Sequence, residues 1–329
     1  MSAVSSSSPP ELLYFGKVPS RGDFIRSASA GSLISSLDQW QSQTMDKLAA
    51  HPRWKLIYDG APALQFAVLG TGNRVGLAGH WLASQDASGR RFPFITAVAF
   101  DLNSPRLFAA LAPVAMGRIW SRLAQLGQMA QTVQDLSEVQ PSLQEPLHID
   151  IVPDAAQRAV TDFLETHTVA SLEQMLAASG HRLSLRQAVL ALGILLQPAM
   201  TQGAARLQKA LLLPVVQDPA LRGTVASFWM MLVLGFFQRH DIELGLFISR
   251  QDSHPALVLG FQGASAATLH AVLDPAVLAQ QSVGLDEAEW VEDEVDQDYG
   301  LRKLSNYLKD PGLPLAQVVH TFREVFLGA

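Results

Sequence analysis

Short apolar runs and two helical patterns occupy the first 130 residues of the chain. The run at residues 12–15 stops at Gly16 and predicts a strand. Apolar residues then recur at helical spacing over residues 32–50 and predict an amphipathic helix, and a longer helical pattern covers residues 105–130. Between the two helices, apolar runs separated by Gly, Pro or Ser clusters predict buried strands at residues 64–69, 75–82 and 94–102.

The remainder of the chain is mainly helical in pattern. Residues 138–153 hold three prolines and no helical period, and a short strand is predicted at residues 147–152. Residues 154–239 follow a helical pattern that is interrupted at Gly180, Pro198, Pro214 and Pro219. Two runs at 242–249 and 256–261, joined by a short polar loop, predict a β-hairpin. Further helices are predicted at residues 264–280, 301–308 and 315–326.

This order of elements predicts a layered α/β fold, because strands are mixed with helices along the chain. Residues 1–11, rich in Ser and Pro, are expected to form a disordered tail. An α/β domain is expected at residues 12–145. Residues 146–329 are expected to be helix-rich, with a hairpin at 242–261 that completes the same α/β unit.

Composition indicates a protein with a large core and argues against thiol catalysis and membrane insertion. Of the 329 residues, 48% are apolar and 16% are charged, and there is no cysteine, so a large core is expected and thiol catalysis is excluded. An apolar stretch at residues 223–238 is shorter than the roughly 20 residues that a spanning helix needs. We interpret it as a core helix and expect no membrane insertion. With no export signal, a cytoplasmic location is expected.

The acidity of the chain is concentrated in one segment. Eight of its 30 acidic residues lie between Asp286 and Asp298, and without them 22 acidic residues face 24 basic ones. A near-neutral remainder argues against a nucleic-acid partner, which requires a basic face. The segment is expected to be a solvated loop because like charges repel. The alternative is docking onto a basic surface, which is favoured by the residues interleaved with the acids: Trp290, Val291, Val295 and Tyr299.

Known catalytic signatures are missing from the sequence. The glycines at 70, 72 and 76 have the wrong spacing for a dinucleotide fingerprint, and no phosphate loop surrounds Gly16 and Lys17. A G-x-S-x-G elbow is also absent, and the nine histidines form no cluster with metal-ligand spacing. We therefore expect no enzymatic activity, no cofactor and no metal site, and rank an uncharacterised hydrolase well below a binding protein.

Two charged turns stand out from this background. The first turn, residues 17–26 (KVPSRGDFIR), follows the first predicted strand, and Asp23 is placed to cap the helix that comes next. The second turn, residues 86–93 (DASGRRFP), joins two predicted strands. Either turn is compatible with a plain connection between elements.

Together with a short helical motif, the two turns resemble the TagF family, also called ImpM, of accessory proteins of the bacterial type VI secretion system. The segments that carry the resemblance are residues 15–24 (FGKVPSRGDF), 37–40 (LDQW) and 88–94 (SGRRFPF), in matching order and spacing. The resemblance covers residues 12–102 and extends more weakly to 242–273. It does not extend to the helical residues 153–239.

The resemblance implies a three-layer αβα sandwich with a mixed sheet, in which the helical region is an insert or extension. It also implies a non-enzymatic, cytoplasmic protein that represses type VI secretion after translation by binding the system's FHA-domain scaffold protein. Some family members carry a fused metal-dependent phosphatase domain. The Asp and Gly clusters that such a site needs are absent after Pro153, so phosphatase activity is not carried over.

The two turns supply the candidate site residues. Those expected to bind the partner are Lys17, Ser20, Arg21, Gly22, Asp23, Arg90 and Arg91. Those expected to pack behind them are Gly16, Pro19, Phe24, Trp40, Phe92 and Pro93. Charges of mixed sign on rigid turns favour specificity, and Arg90 or Arg91 is suited to bind a carboxylate or phosphate.

A structural alternative stays open for the same residues. Lys17 and Asp23 would then pair with each other or with Arg90 and stabilise the sheet. In that case the motif residues serve as core packing, and the chain acts as a structural or assembly adaptor of the secretion system.

Overall fold

One mixed sheet of nine strands runs through the described part of the computed structural model, which covers residues 12–28, 30–147, 151–251 and 254–328. The tail expected at residues 1–11 lies outside it. The strands are β1 (Leu12–Gly16), β2 (Ile25–Arg26), β3 (Leu64–Gly70), β4 (Val75–Leu82), β5 (Phe94–Asp101), β6 (Ala210–Pro214), β7 (Glu243–Gln251), β8 (His254–Gly260) and β9 (Ser282–Gly284). Their order across the sheet is β2-β1-β5-β4-β3-β7-β8-β6-β9. Neighbouring strands are antiparallel except β6 and β9, which are parallel.

Both faces of the sheet are covered by apolar cores. Along β1, Leu12 and Tyr14 belong to the larger core, whereas Leu13 and Phe15 belong to the smaller one. Successive side chains of a strand point to opposite faces, so one strand contributes to both cores. This double burial explains why the strands are nearly continuous apolar runs in the sequence.

Helices form the two outer layers. They are α1 (Gly31–Ala49), α2 (Trp54–Gly60), α3 (Pro105–Ala115), α4 (Gly117–Thr132), α5 (Gln140–Gln144), α6 (Pro153–Thr166), α7 (Val169–Ala178), α8 (Leu185–Leu196), α9 (Ala199–Gln202), α10 (Pro219–Leu234), α11 (Ala266–Leu273), α12 (Pro275–Gln281), α13 (Val291–Gln297), α14 (Tyr299–Leu308) and α15 (Leu315–Leu327). Helices α1, α2, α11 and α12 cover the smaller core, and α3, α4, α6, α8, α10 and α15 cover the larger one. The predicted α/β class with a three-layer arrangement and a mixed sheet is thereby confirmed.

Strand β7 joins the predicted hairpin to the rest of the sheet. It pairs with β3 in antiparallel register, with Phe247 opposite Phe66. The centroids of the two rings lie 6.5 Å apart on the face of the sheet that carries the smaller core. Residues far apart in the chain therefore complete one sheet.

Helix α10 is the buried centre of the larger layer. Asp218 caps its first turn by accepting a hydrogen bond from the Ala220 N–H at 2.9 Å, and ten residues of the helix are buried. Among the described residues, Pro219–Phe237 is the one helix long and apolar enough to cross a membrane. It packs against α3, α6 and α15, which confirms the core helix expected from the sequence.

Several predicted boundaries are wrong for local reasons. The helix expected at 105–130 is two helices that meet at Met116, and the one expected at 264–280 is divided at Asp274, which caps α12. Strands β6 and β9 were missed because they are short apolar runs beside helical patterns, where periodicity is ambiguous. The strand expected at 147–152 lies partly outside the described residues, and 151–152 lead directly into α6 without forming a strand.

The acidic segment is also different from the solvated loop that was expected. Residues Val291–Gln297 form helix α13, which buries Val291 and Val295 one turn apart. Glu292 accepts hydrogen bonds from Arg186 and Gln187 of α8. Val291 and Val295 are therefore packing contacts of a short helix, whereas Trp290 and Tyr299 are exposed.

His80 is a buried histidine in the middle of the sheet. It lies on β4 opposite Thr96 of β5 and Gln65 of β3, and its side chain is on the larger-core face. Within the described residues, its Nδ1 has no hydrogen-bond partner. Burial lowers the pKa of His80 to about 4, so the folded protein keeps this ring neutral at mildly acidic pH.

We expect His80 to make the protein less stable as the pH falls. The unfolded chain binds a proton at His80 near the ordinary pKa of 6.5, whereas the folded chain does so only near 4. Stability is therefore full above pH 6.5 and falls between those values, by about 2 kcal/mol at a pH of about 5. Urea denaturation at neutral and acidic pH should show a smaller loss in His80→Gln than in the wild type. Equal losses in the two proteins would contradict this account.

Candidate functional site

Gly16 allows the end of strand β1 to approach the second turn closely. Its φ of +134° is a conformation that residues with a side chain rarely adopt, and a Cβ at this position would lie 1.9 Å from the Pro93 carbonyl oxygen. The N–H of Lys17 donates to the same oxygen at 3.4 Å. The glycine thus brings the first turn against the second.

Asp86 is the acceptor at the centre of both turns. Its side chain is fully buried, and Oδ2 accepts from Lys17 Nζ at 2.9 Å and from Arg90 Nε at 2.7 Å. Its Oδ1 accepts from the Ser88 N–H at 3.0 Å, the Ser88 hydroxyl at 2.7 Å and the Arg90 N–H at 3.0 Å. Burial would raise the pKa of this carboxyl, but the hydrogen bonds from Ser88, Lys17 and Arg90 hold its pKa well below the ordinary range. Asp86 is therefore a buried anion that organises the loops around it.

Lys17 supplies the buried cation. Its Nζ also lies 5.0 Å from the ring centroid of Phe24, a distance suitable for a cation–π contact. The Lys17 carbonyl oxygen accepts a hydrogen bond from the Ser84 hydroxyl at 2.5 Å. The first turn is therefore fixed to the second through both the side chain and the backbone of one residue.

Ser84 connects the turns to the helices on both faces of the sheet. Its hydroxyl accepts from Gln131 Nε2 of α4 at 2.8 Å. Its backbone carbonyl accepts from the Tyr58 hydroxyl of α2 at 2.9 Å, and its N–H donates back to that hydroxyl at 2.8 Å. The base of the second turn is consequently held by both outer layers.

Arg90 joins the two turns at the surface. Beside its bonds to Asp86, its Nη2 donates to the Gly22 carbonyl at 2.6 Å. The Ala87 N–H likewise donates to the Arg21 carbonyl at 2.8 Å. The Arg90 side chain is nevertheless 63% exposed, so part of its guanidinium faces solvent.

The outer part of the first turn is exposed. Phe24 is 43% exposed, although its inner side stacks on Phe15 at 5.6 Å between ring centroids and on the edge of Phe92 at 4.9 Å. Asp23 accepts one hydrogen bond, from the neighbouring Phe24 N–H at 2.8 Å. We name the exposed set the turn surface; its residues are Arg21, Gly22, Asp23, Phe24 and Arg90.

Arg91 and Ser20 do not belong to this surface. Arg91 forms two hydrogen bonds of 2.7 Å with the carboxylate of Asp59 on α2, and these hold the pKa of Asp59 below its ordinary value. Ser20 is half-buried, and its hydroxyl has no hydrogen-bond partner among the described residues. Arg91 therefore attaches the second turn to α2.

The expected roles of two residues in the first turn are wrong. Asp23 does not cap a helix, because α1 begins at Gly31 and its N-terminus has no side-chain cap. Lys17 and Arg90 pair with Asp86, and Asp23 takes part in neither pair. Both cations contact the buried carboxylate of Asp86, and the carboxylate of Asp23 is exposed.

The packing residues occupy two separate places. Phe92 and Pro93 are buried beside the turns, whereas Pro19 is exposed. Trp40 is buried on α1 and contacts Phe66 at 5.2 Å between ring centroids, in the smaller core. The helical motif that contains Trp40 thus supports the sheet and is not part of the turn surface.

Asp86 is central to the site but is absent from the residues predicted from the sequence. Its pattern offered a signal, since Asp followed by Ser two residues later and then Gly is typical of a turn closed by its own side chain. Its ion pair with Lys17 could not be predicted from local sequence, because the two residues lie 69 positions apart.

A second cleft brings two histidines and a carboxylate together. His181, His254 and Asp286 line a cleft of about 600 Å³ beside β6 and β8. The Nε2 atom of His181 lies 3.0 Å from the carbonyl oxygens of Val215 and Pro255. No Ser or Thr lines this cleft within the described residues, and no group of three or more His, Asp or Glu side chains there is arranged to hold a metal ion.

Comparison with known proteins gives a match over the first part of the chain. Residues 14–146 match the model of the TagF N-terminal domain, described as type VI secretion system-associated. Among solved structures, the chain is similar to PA0076 from Pseudomonas aeruginosa PAO1, with 18% identity and a TM-score of 0.37. That alignment covers 43% of this chain and 65% of the other, so less than two thirds of the solved protein is spanned. The search of curated proteins found no match.

Asp86→Asn should destabilise the protein by about 3 kcal/mol or more, because it leaves the Lys17 ammonium buried without a counter-charge. Asp23→Ala, a matched change of an exposed carboxylate in the adjoining turn, should cost less than about 0.5 kcal/mol. Urea denaturation followed by circular dichroism measures both. An Asp86→Asn protein that unfolds at the wild-type midpoint would show that the buried ion pair does not stabilise the turns.

Proposed function

We propose that this chain, whose residues 14–146 match the model of the TagF N-terminal domain, is a TagF-family protein that represses bacterial type VI secretion. Repression takes place in the cytoplasm, after translation and without catalysis. The chain acts by binding the FHA-domain scaffold protein of the secretion system.

The turn surface is the observation that supports this proposal. It combines two cations, one carboxylate and a half-exposed aromatic ring on two turns that are fixed from below by Asp86. Such a surface loses little conformational freedom on binding, because its backbone is held before the partner arrives. Mixed charges on rigid turns give specificity and a fast association rate.

The chemistry of the surface indicates which groups on the scaffold it contacts. Arg90 uses Nε and Nη2 inside the protein, and the exposed remainder of its guanidinium can donate to a carboxylate or phosphate. Arg21 is close to Asp135 at 3.7 Å, but both side chains are largely exposed, so this pair is weak and open to exchange. Phe24 provides an apolar contact between them.

The structural alternative is favoured for the inner residues alone. Lys17, Asp86 and the Nε of Arg90 hold the turns together, which is the structural role that this alternative gives to the motif residues. Arg21 and Asp23 have no comparable internal role, since they lie outside the buried network. We therefore assign binding to the outer residues and stabilisation to the inner ones.

No role for nucleic acid or for membrane insertion is included in the proposal. The net charge of −6 and the concentration of acid at residues 286–298 disfavour a phosphate backbone as partner.

Arg21→Glu and Asp23→Lys should each weaken binding of the purified FHA-domain scaffold protein by about tenfold, without a change in the unfolding midpoint. Arg118→Glu is the matched control, because this exposed arginine lies at the far end of α4, about 20 Å from Gln131 beside the turns. Fluorescence anisotropy measures affinity. If both variants bind as the wild type does, the turn surface is not the docking site.

Affinity purification of the full chain from native cytosol, followed by mass spectrometry, tests the identity of the partner. We expect recovery of an FHA-domain protein, and we expect it to be depleted with Arg21→Glu. Recovery of metabolic enzymes alone would contradict the proposal.

A further inference from the structure

A second candidate surface lies at the opposite end of the sheet. A cleft of about 630 Å³ opens between the start of α3, the end of α10 and α15. Thr71 and Ser104, at its edge, follow the ends of β3 and β5, whereas the turn surface lies where β5 begins. The cleft is therefore separate from the turn surface.

One wall of the cleft is apolar and incompletely covered. Leu107, Ala110, Met231 and Leu234 line it, and Leu107 is 53% exposed. Because Leu107 lines the same cleft as Ala110, Met231 and Leu234, it belongs to an apolar wall that a partner can cover.

Two arginines line the same cleft but differ in how they are used. Arg106 donates from Nη1 to the Phe237 carbonyl at 2.6 Å and from Nη2 to Asp241 Oδ1 at 3.2 Å, so most of its charge is compensated. Arg323 of α15 is half-buried, and it has no ion pair or side-chain hydrogen bond among the described residues. A guanidinium held partly out of water without an acceptor favours an incoming anion.

We propose that this cleft binds an acidic peptide segment of a partner protein, with a carboxylate on Arg323 and an apolar side chain against Leu107. Charge complementarity selects the anion, since Arg323 is a cation without an acceptor in the described residues that line the cleft. We favour a peptide over a small molecule, because a peptide can cover the exposed Leu107 and also place a carboxylate on the half-buried Arg323.

The proposal does not depend on the repressor function. Arg323, Met231 and Leu234 lie outside the residues that match the TagF N-terminal domain, whereas Thr71, Ser104 and the start of α3 lie within the matched part. Failure of one proposal therefore leaves the other intact.

The test uses the full chain and a short fluorescein-labelled peptide of alternating Glu and Leu. Anisotropy should show saturable binding that weakens about tenfold in Arg323→Gln, because a charge-assisted hydrogen bond is lost. Arg53→Gln removes a charge of the same kind on the other face of the sheet and should bind as the wild type does. Arg323→Lys keeps the charge and loses the planar guanidinium, so its affinity for the peptide should lie between those of the wild type and Arg323→Gln.

Three outcomes would overturn the proposal. The first is wild-type affinity in both Arg323 variants, and the second is equal binding of a peptide with Gln in place of Glu. The third is saturable, Arg323-dependent binding of octanoate together with no binding of the peptide, which would assign the cleft to a small organic acid.

Discussion

A buried carboxylate, Asp86, is the constraint on which the arrangement of the two turns depends. An isolated ion in a protein interior is unfavourable, so this position requires compensation from Lys17, Arg90 and Ser88 together. Those donors come from both turns, and the carboxylate can satisfy them only when the turns are in contact. Gly16 makes that contact sterically possible.

The same interaction separates the motif into an inner and an outer part. Inside, charge and hydrogen bonding are almost fully satisfied, and helices α2 and α4 hold the base of the second turn through Ser84. Outside, Arg21, Asp23 and Phe24 keep free polar and apolar surface. The residues that stabilise the turns and those proposed to bind the partner are therefore adjacent in one short segment. This is why a motif of this length is compatible with both interpretations before the contacts are known.

The fold was largely predictable from the sequence, whereas the site was predictable only in outline. Nearly continuous apolar runs indicated β3, β4 and β5, because a strand buried on both faces is apolar at most of its positions. Strand β6 was missed since its few apolar residues continue a helical pattern. The turns were identified, but the pairing of Lys17 with Asp86 was not, because local spacing carries no information about a contact across 69 residues. Helix α13 was hidden by its charges.

Amide hydrogen exchange of the full chain, alone and with the purified FHA-domain scaffold protein, shows whether the partner docks on the turn surface. We expect added protection to be concentrated at residues 18–24 and 86–91, because a partner docked on the turn surface covers the backbone of both turns. The buried strands should be unaffected. Protection confined to other parts of the chain, with both turns exchanging as in the free protein, would contradict this expectation.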